Sequence, residues 1–470
     1  MSETDLSNYK DDRERSESEL DEGDRLKPEF VRAVLDAVEE GDAEAAYDRV
    51  EPLHPADIAD LIELTPAEQR PALVDAVGSL IDGEVLSEMN DWVREALIES
   101  LDPHQVAGMA AELDTDDAVA IIGDMEEADQ QAVLDALPPD DRAAIEEALS
   151  YPEESAGRLM QRELIAVPEH WTVGDVLDYL RSGDDLTSDF WEIFIVDPGH
   201  RPVGTCQLSW ILRTPRIVSM TDVMKREQTL IPVDMDQEEV ALRFQKYALI
   251  SAAVIDAAGR LVGQITVDDI VHIISEEAGE DILRLSGAGE GDINEPIRLA
   301  VRTRLSWLIV NLATAILASA VVDMFQAQIA AFALLAVLMP IVSGMGGNAG
   351  TQTLAVVVRA LATNQLTDSN TWWMVARELR IAAANGAALG TVTGIGSFLI
   401  YGNAPLSLVF AAAMVINNLA AGLGGVIVPL TLDRFRVDPA VSSAVFVTTL
   451  TDVMGFFSFL GLATLFSVSP

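Results

Sequence analysis

Three rhythms of apolar and polar positions follow one another along the chain. Over residues 28–150, segments such as HPADIADLIEL (54–64), TPAEQRPALVDAV (65–77), DPHQVAGMAAEL (102–113), DTDDAVAIIGDM (114–125) and PPDDRAAIEEAL (138–149) open on Pro or Asp and then space their apolar residues helically. Proline in the first turn followed by acidic residues is a helix start, and recurrence at roughly 11–13 residues predicts a helical superhelix with weak internal repetition. From Leu164 the period shortens. ELIAVPEHWTVGDVLDYLR, WEIFIVDPGHRPVGTCQLSWIL, TLIPVDMDQEEVALRFQKYAL and SAAVIDAAGRLVGQITVDDIVHII alternate β-rich runs with amphipathic helices. One strand, helix, strand, turn, strand, helix unit thus occurs twice, over about 164–213 and 229–274 within 151–274. SEEAGEDILRLSG then predicts an acidic connecting helix and linker over 275–297. Finally, five stretches (304–323, 329–358, 380–401, 405–431 and 441–466) are long and apolar enough to cross hydrocarbon, which takes about 20 helical residues. The expected fold class is a multidomain membrane protein: an α-helical superhelix, a tandem α/β pair, a connecting helix and an all-α, five-helix transmembrane domain over 298–470.

Charge divides the chain at the same place. From Arg298 onward six acidic residues face eight arginines, a net of +2; the whole chain carries −46, so residues 1–297 carry −48. Lysine occurs only at Lys10, Lys27, Lys225 and Lys246. An acidic head almost without lysine points to adaptation to a very saline, halophilic cytoplasm, where screening relieves self-repulsion; an acidic partner-binding surface is the alternative. Nucleic acid is not an expected partner, because phosphate binding needs a basic face. The single cysteine, Cys206, allows neither an intramolecular disulfide nor a cysteine metal cluster and reads as core packing. Residues 1–27 contain no apolar run of signal-peptide type and read as a disordered acidic leader.

Arginines fall on one side of the expected spans. Arg298, Arg302 and Arg304 precede the first, Arg359, Arg377 and Arg380 bracket the loop between second and third, and Arg434 and Arg436 lie between fourth and fifth. The positive-inside rule then puts the head in the cytoplasm and the C-terminus outside, in a multi-pass cell-membrane protein. Against this background Asp452 stands out in AVFVTTLTDVMGFFSFLGLA, 444–463. It lies about 11 residues into the fifth span, roughly 16 Å deep, with no Lys or Arg at that depth. A midplane carboxylate marks an ion or proton pathway, and Thr448, Thr449 and Thr451 add neutral oxygens nearby.

In the second span, MPIVSGMGGNAGTQT carries Pro340, Gly344, Gly346, Gly347 and Gly350 beside Asn348, Thr351 and Gln352. This predicts a broken helix whose free carbonyls line a wet cavity, although glycines alone also serve tight helix packing. Span four adds Asn417 and Asn418. Ligands that are all oxygen, with neither His nor Cys in the membrane half, indicate a hard cation, and one carboxylate per chain suits Mg2+, which keeps its waters. A pore formed by two chains would present two such carboxylates.

The repeated unit, with hairpins DPGHRPVG (197–204) and DAAGRLVG (256–263), resembles a pair of CBS domains. PIVSGMGGNAGTQT, the 438–455 block, YPEESAGRLM (151–160) and VDDIVHIISEEAGED (267–281) together resemble the MgtE family of magnesium channels and transporters, in domain order from about residue 28 to the end. That resemblance implies a homodimer with one central pore, gated shut by cytosolic Mg2+. It implies Asp452 as the pore aspartate, with Thr448, Thr449, Asn348, Gly344, Gly347 and Asn417 around the ion path. It implies Asp236, Glu238, Asp269, Glu277, Glu280 and Asp281 as sensor carboxylates, Asp438 at the cytoplasmic mouth of the fifth span, and Asp116 and Asp117 from the N-domain. Family CBS domains also bind ATP, for which GQITVDD offers Thr266 and Asp269; the first copy has GTCQLSW instead. Three positions depart from the pattern: His272, Ala248 and Ala444 stand where acidic or polar residues occur in relatives.

Two other readings remain at this level: a carrier or exchanger for Co2+, Ni2+ or Mn2+, and a membrane-anchored CBS regulator that transports nothing. No nucleophile–base pair, phosphate loop or metal-hydrolase motif occurs, so an enzyme is not expected.

Overall fold

Why the head folds as it does is visible in its helix ends. In a computed structural model, which describes residues 19–182, 190–286, 293–367, 369–440, 443–466 and 468, the chain divides into two compact units, Met1–Ser275 and Glu276–Pro470. Short helices fill 28–149, many started by a side-chain cap: Asp42 accepts from Ala45 N, Asp82 from Val85 N, and Asp102 from His104 N within a capping box. Their apolar stripes meet in one core around Val34, Leu61, Leu73, Leu86 and Ile122. The expected leader is shorter than 1–27. Residues 1–18 lie outside the described residues, but Leu20 and Leu26 form an antiparallel bridge and Leu26 is buried in this core. Two leucines give that turn enough apolar surface to dock despite its acidity.

The two α/β units repeat one sheet. Ala166–Pro168 pairs parallel with Glu192–Val196, which pairs antiparallel with Pro202–Gln207; Leu230–Pro232, Ser251–Ile255 and Leu261–Thr266 do the same, each with a register shift near the end of the central strand. Phe194 and Val196 of one sheet pack against Ala253 and Leu261 of the other, so the alternation that made the strands also made the pair. Cys206 is buried, and burial pushes its thiol up to about 11, consistent with inert packing. The helix Val267–Ser286 follows directly on the last strand.

Five helices of the second unit are long and apolar enough to cross a membrane: Ile297–Asp323, Leu334–Ala362, Thr371–Tyr401, Ala404–Arg434 and Ser443–Leu465. One expectation is overturned. The second span is a continuous helix with Pro340 inside it, not a broken one. Proline removes one backbone donor, the one that would serve the carbonyl four residues back at Ala336; two residues beyond it, the carbonyl of Val342 accepts from Asn417 Nδ2 on the fourth span at 2.8 Å, which ties the second span to the fourth. The glycines serve close approach instead. A Cβ on Gly350 would stand 2.5 Å from Val447 Cγ1 of the fifth span, whereas one on Gly344 would meet nothing within 4 Å.

These two glycines should therefore respond oppositely to alanine. Gly350→Ala forces a stiff valine to move and should cost about 1–3 kcal/mol, lowering the thermal midpoint of the detergent-purified protein. Gly344→Ala fills open space and removes a helix-weakening glycine, gaining up to about 1 kcal/mol; a lower midpoint for both would contradict this packing.

Candidate functional site

A carboxylate in mid-span must find compensation among its neighbours. Asp452 sits ten positions along Ser443–Leu465, about 14 Å into the helix at 1.5 Å per residue. Its Oδ1 accepts from Ser343 Oγ of the second span, and the side chain is only partly buried. Ser343 was invisible from sequence: its partner lies 109 residues away. On the same two helices Gly344 and Asn348 are exposed and Gly347 is half-buried, with room for a Cβ in front of both glycines. One side of the paired second and fifth spans thus combines a carboxylate, an amide side chain and small residues that leave space.

Other expected lining residues are turned inward or committed. Thr448 Oγ1 donates to Ala444 O at 2.8 Å and Thr449 Oγ1 to Val445 O at 2.6 Å, one turn back in their own helix; their remaining lone pairs are what they can offer an ion. Asn417 is fully buried, braced on Val342 O and packed against Gly346 and Gly455. Asn417 thus lies where the second, fourth and fifth spans meet, closed over by three helices, with its Oδ1 buried and without a hydrogen-bond partner.

In the head, Asp116 and Asp117 occupy the first turn of the helix Thr115–Gly123. Glu163 anchors that turn, accepting from Thr115 N at 3.1 Å and Thr115 Oγ1 at 2.8 Å. Asp269, in the first turn of Val267–Ser286, accepts from Thr266 Oγ1 at 2.8 Å and meets Asp116. Oδ1 of Asp116 is shut off from solvent without a hydrogen-bond partner. Burial first, then Asp269 and Asp117, push the Asp116 carboxyl well above the usual range; burial and Asp269 raise Asp117 to about 6. Burial also raises Asp269, against the Thr266 hydrogen bond. Three carboxyls are thus packed with too little positive charge, and among the described residues no three His, Cys, Asp or Glu side chains already converge as a metal cage. Thr266 is itself buried and bonded to Asp269, so both residues expected at a ribose face each other.

The remaining expected carboxylates are dispersed. Asp236 caps Gln237–Tyr247 by accepting from Glu238 N at 3.0 Å. Glu277 is half-buried on the connecting helix, and the side chain of Asp281 lies outside the described residues. Glu280 and Asp438 share a cation that sequence reading missed: Arg284 pairs with Glu280 and, at 2.7 Å, with Asp438 Oδ2. The last turn of the connecting helix is therefore tied to the entry of the fifth span by a guanidinium, in the place where the resemblance implied a metal ion.

The carboxyl trio sets a pH dependence. Each group holds its proton more tightly folded than unfolded, so the folded head binds more protons and loses stability as pH rises, between 3.8 and about 6 for Asp117. In metal-free buffer the thermal midpoint of wild type should fall more steeply over that interval than that of Asp117→Asn; equal slopes would remove Asp117 from the account.

Comparison with known proteins yields three matching family models: "Divalent cation transporter" over residues 339–462, "MgtE intracellular N domain" over 53–154 and "CBS domain" over 220–276. A magnesium transporter MgtE from Thermus thermophilus is 31% identical over 448 residues, covering 94% of this chain and 99% of the relative. Its counterpart from Bacillus subtilis is 31% identical over 320 residues, 68% of this chain and 71% of the relative. Among solved structures, the cytosolic domain of the Mg2+ channel MgtE in complex with ATP aligns at TM-score 0.47 and 28% identity, covering 52% of this chain and 99% of that one.

Proposed function

The chain belongs to the MgtE family of divalent cation transporters, and from that membership we propose that it carries Mg2+ across the cell membrane along a path on which Asp452 is the charged contact. The carrying observation is the mid-span carboxylate held by Ser343 on a helix face that small residues leave open. A fixed carboxylate in hydrocarbon is costly unless a cation answers it, and the oxygen-only surroundings favour a hard ion that keeps its waters. Serine at one carboxylate oxygen leaves the other free to accept a hydrogen bond from a metal-bound water. Two chains facing each other across this open side would supply the second carboxylate that a central pore of a homodimer requires.

Head-side Mg2+ closes the path in this reading. Asp116, Asp117 and Asp269 repel until protonated or bridged, and a divalent ion answers that need at neutral pH, where protons are scarce; binding and closure are then linked. Arg284 bridges Glu280 and Asp438, which favours the closed arrangement of the connecting helix alongside any bound ion. The arginine-bearing loops put the head on the cytoplasmic side. ATP at the second CBS unit would have to open the Thr266–Asp269 contact and so compete with the acidic closure.

Flux through the purified full chain in liposomes tests this. With low Mg2+ on the head side Mg2+ should pass; with high Mg2+ it should stop. Asp452→Ala should abolish the flux seen at low head-side Mg2+, and Arg284→Ala should raise the head-side Mg2+ needed for closure. Flux surviving in Asp452→Ala overturns the path, and flux indifferent to head-side Mg2+ overturns the gate.

A further inference from the structure

The second, third and fourth spans form a half-open pocket of about 170 Å3 whose wall carries Gln352, Thr353, Arg377, Glu378, Asn385 and Asn418, with Gln352 and Asn385 exposed at its opening. Glu378 lies seven residues into Thr371–Tyr401, about 10 Å along that helix, and its side chain is only 4% exposed. It pairs with Arg377, whose side chain is 45% exposed, and accepts from Thr353 Oγ1 at 3.3 Å. Asn418 is fully buried; its Nδ2 donates to Met414 O at 2.9 Å, while its Oδ1 has no hydrogen-bond partner.

Why a carboxylate should be kept at this depth is the question. An ion pair with Arg377 alone would form more cheaply at the helix end, where both charges stay in water. Burial of the acid but not of its arginine leaves a carboxylate at a hollow of mixed lining, where Val356, Ile381 and Ala382 stand beside the polar side chains and an amide oxygen lacks a donor. Buried polar atoms in such hollows are normally satisfied. All the acceptors are oxygens: one carboxylate, one hydroxyl and amides. That set suits a hard cation.

Charge decides which. Arg377 already answers the single negative charge, so a divalent ion would add two uncompensated positives, whereas a monovalent ion adds one and can be offset by the arginine moving toward water. Mg2+ also gives up its waters reluctantly, while an alkali ion accepts a mixed shell of amide, hydroxyl and carboxylate oxygens. We propose that this cavity is a binding site for a monovalent alkali cation, Na+ or K+, separate from the Asp452 path. The two are one residue apart on the fourth span: Asn417 braces the helices that carry Asp452, and Asn418 lines the cavity.

Binding of radiolabelled sodium and of radiolabelled rubidium, run separately on the full chain in nanodiscs under saturating Mg2+, tests the site without measuring transport. Wild type should bind one of them saturably, displaced by unlabelled alkali chloride but not by choline chloride. Glu378→Gln and Thr353→Val should each weaken that binding by about tenfold or more. Thr353→Val keeps the Arg377–Glu378 pair and the helix packing, so it reads the site even if Glu378→Gln misfolds. Asp452→Asn should leave binding unchanged, which separates this site from the proposed path. No saturable alkali binding, binding untouched by Thr353→Val, or binding lost with Asp452→Asn would each overturn the proposal.

Discussion

A negative charge placed in hydrocarbon has to be answered by something. Water cannot do it, and among the described residues no basic side chain pairs with Asp452, whose hydrogen-bond partner is Ser343. The rest of the second unit is arranged around that shortage. Ser343 answers part of it, an open helix face leaves room for an ion to answer the remainder, and glycine contacts such as Gly350 against Val447 bring the second and fifth spans close enough for serine and aspartate to meet. Glu378 solves the same problem differently, with a neighbouring arginine that reaches outward and a threonine hydroxyl from the second span.

The head meets the converse condition. Surrounded by water, its −48 of charge (the chain's −46 less the tail's +2) is mostly tolerable because exposed carboxylates are screened. It becomes consequential only where folding packs carboxyls together, as with Asp116, Asp117 and Asp269. There the fold works against its own electrostatics and leaves a local demand for positive charge. Where the connecting helix ends, Arg284 meets a similar demand with a residue of the chain itself.

What could be read in the sequence depended on how local the physics was. Span-length apolar runs, the twice-repeated strand alternation and the solitary charge at Asp452 are properties of adjacent residues, and all three are legible without a fold. The apolar run that marks the third span begins at residue 380, whereas the helix carrying it begins at Thr371, so Arg377, Glu378 and Arg380 are helical rather than part of a loop. The second span is continuous although Pro340 and its glycines signal a break locally, because the contacts those glycines serve, such as Gly350 against Val447, are made with helices remote in the chain. Ser343, Arg284 and the inward turn of Asn417 depend on partners equally remote in the chain.

Asn417 and Asn418 have one further consequence. Successive residues on a helix point about 100° apart, and here that angle separates the contacts beside Asp452 from the cavity lined by Glu378. Inserting or deleting a single residue between Ala404 and Asn417 would turn both amides together, presenting each to the wrong neighbours, while most substitutions on the helix's outer surface would leave them in place. The gene segment encoding this span should therefore accumulate point changes far more readily than changes of length.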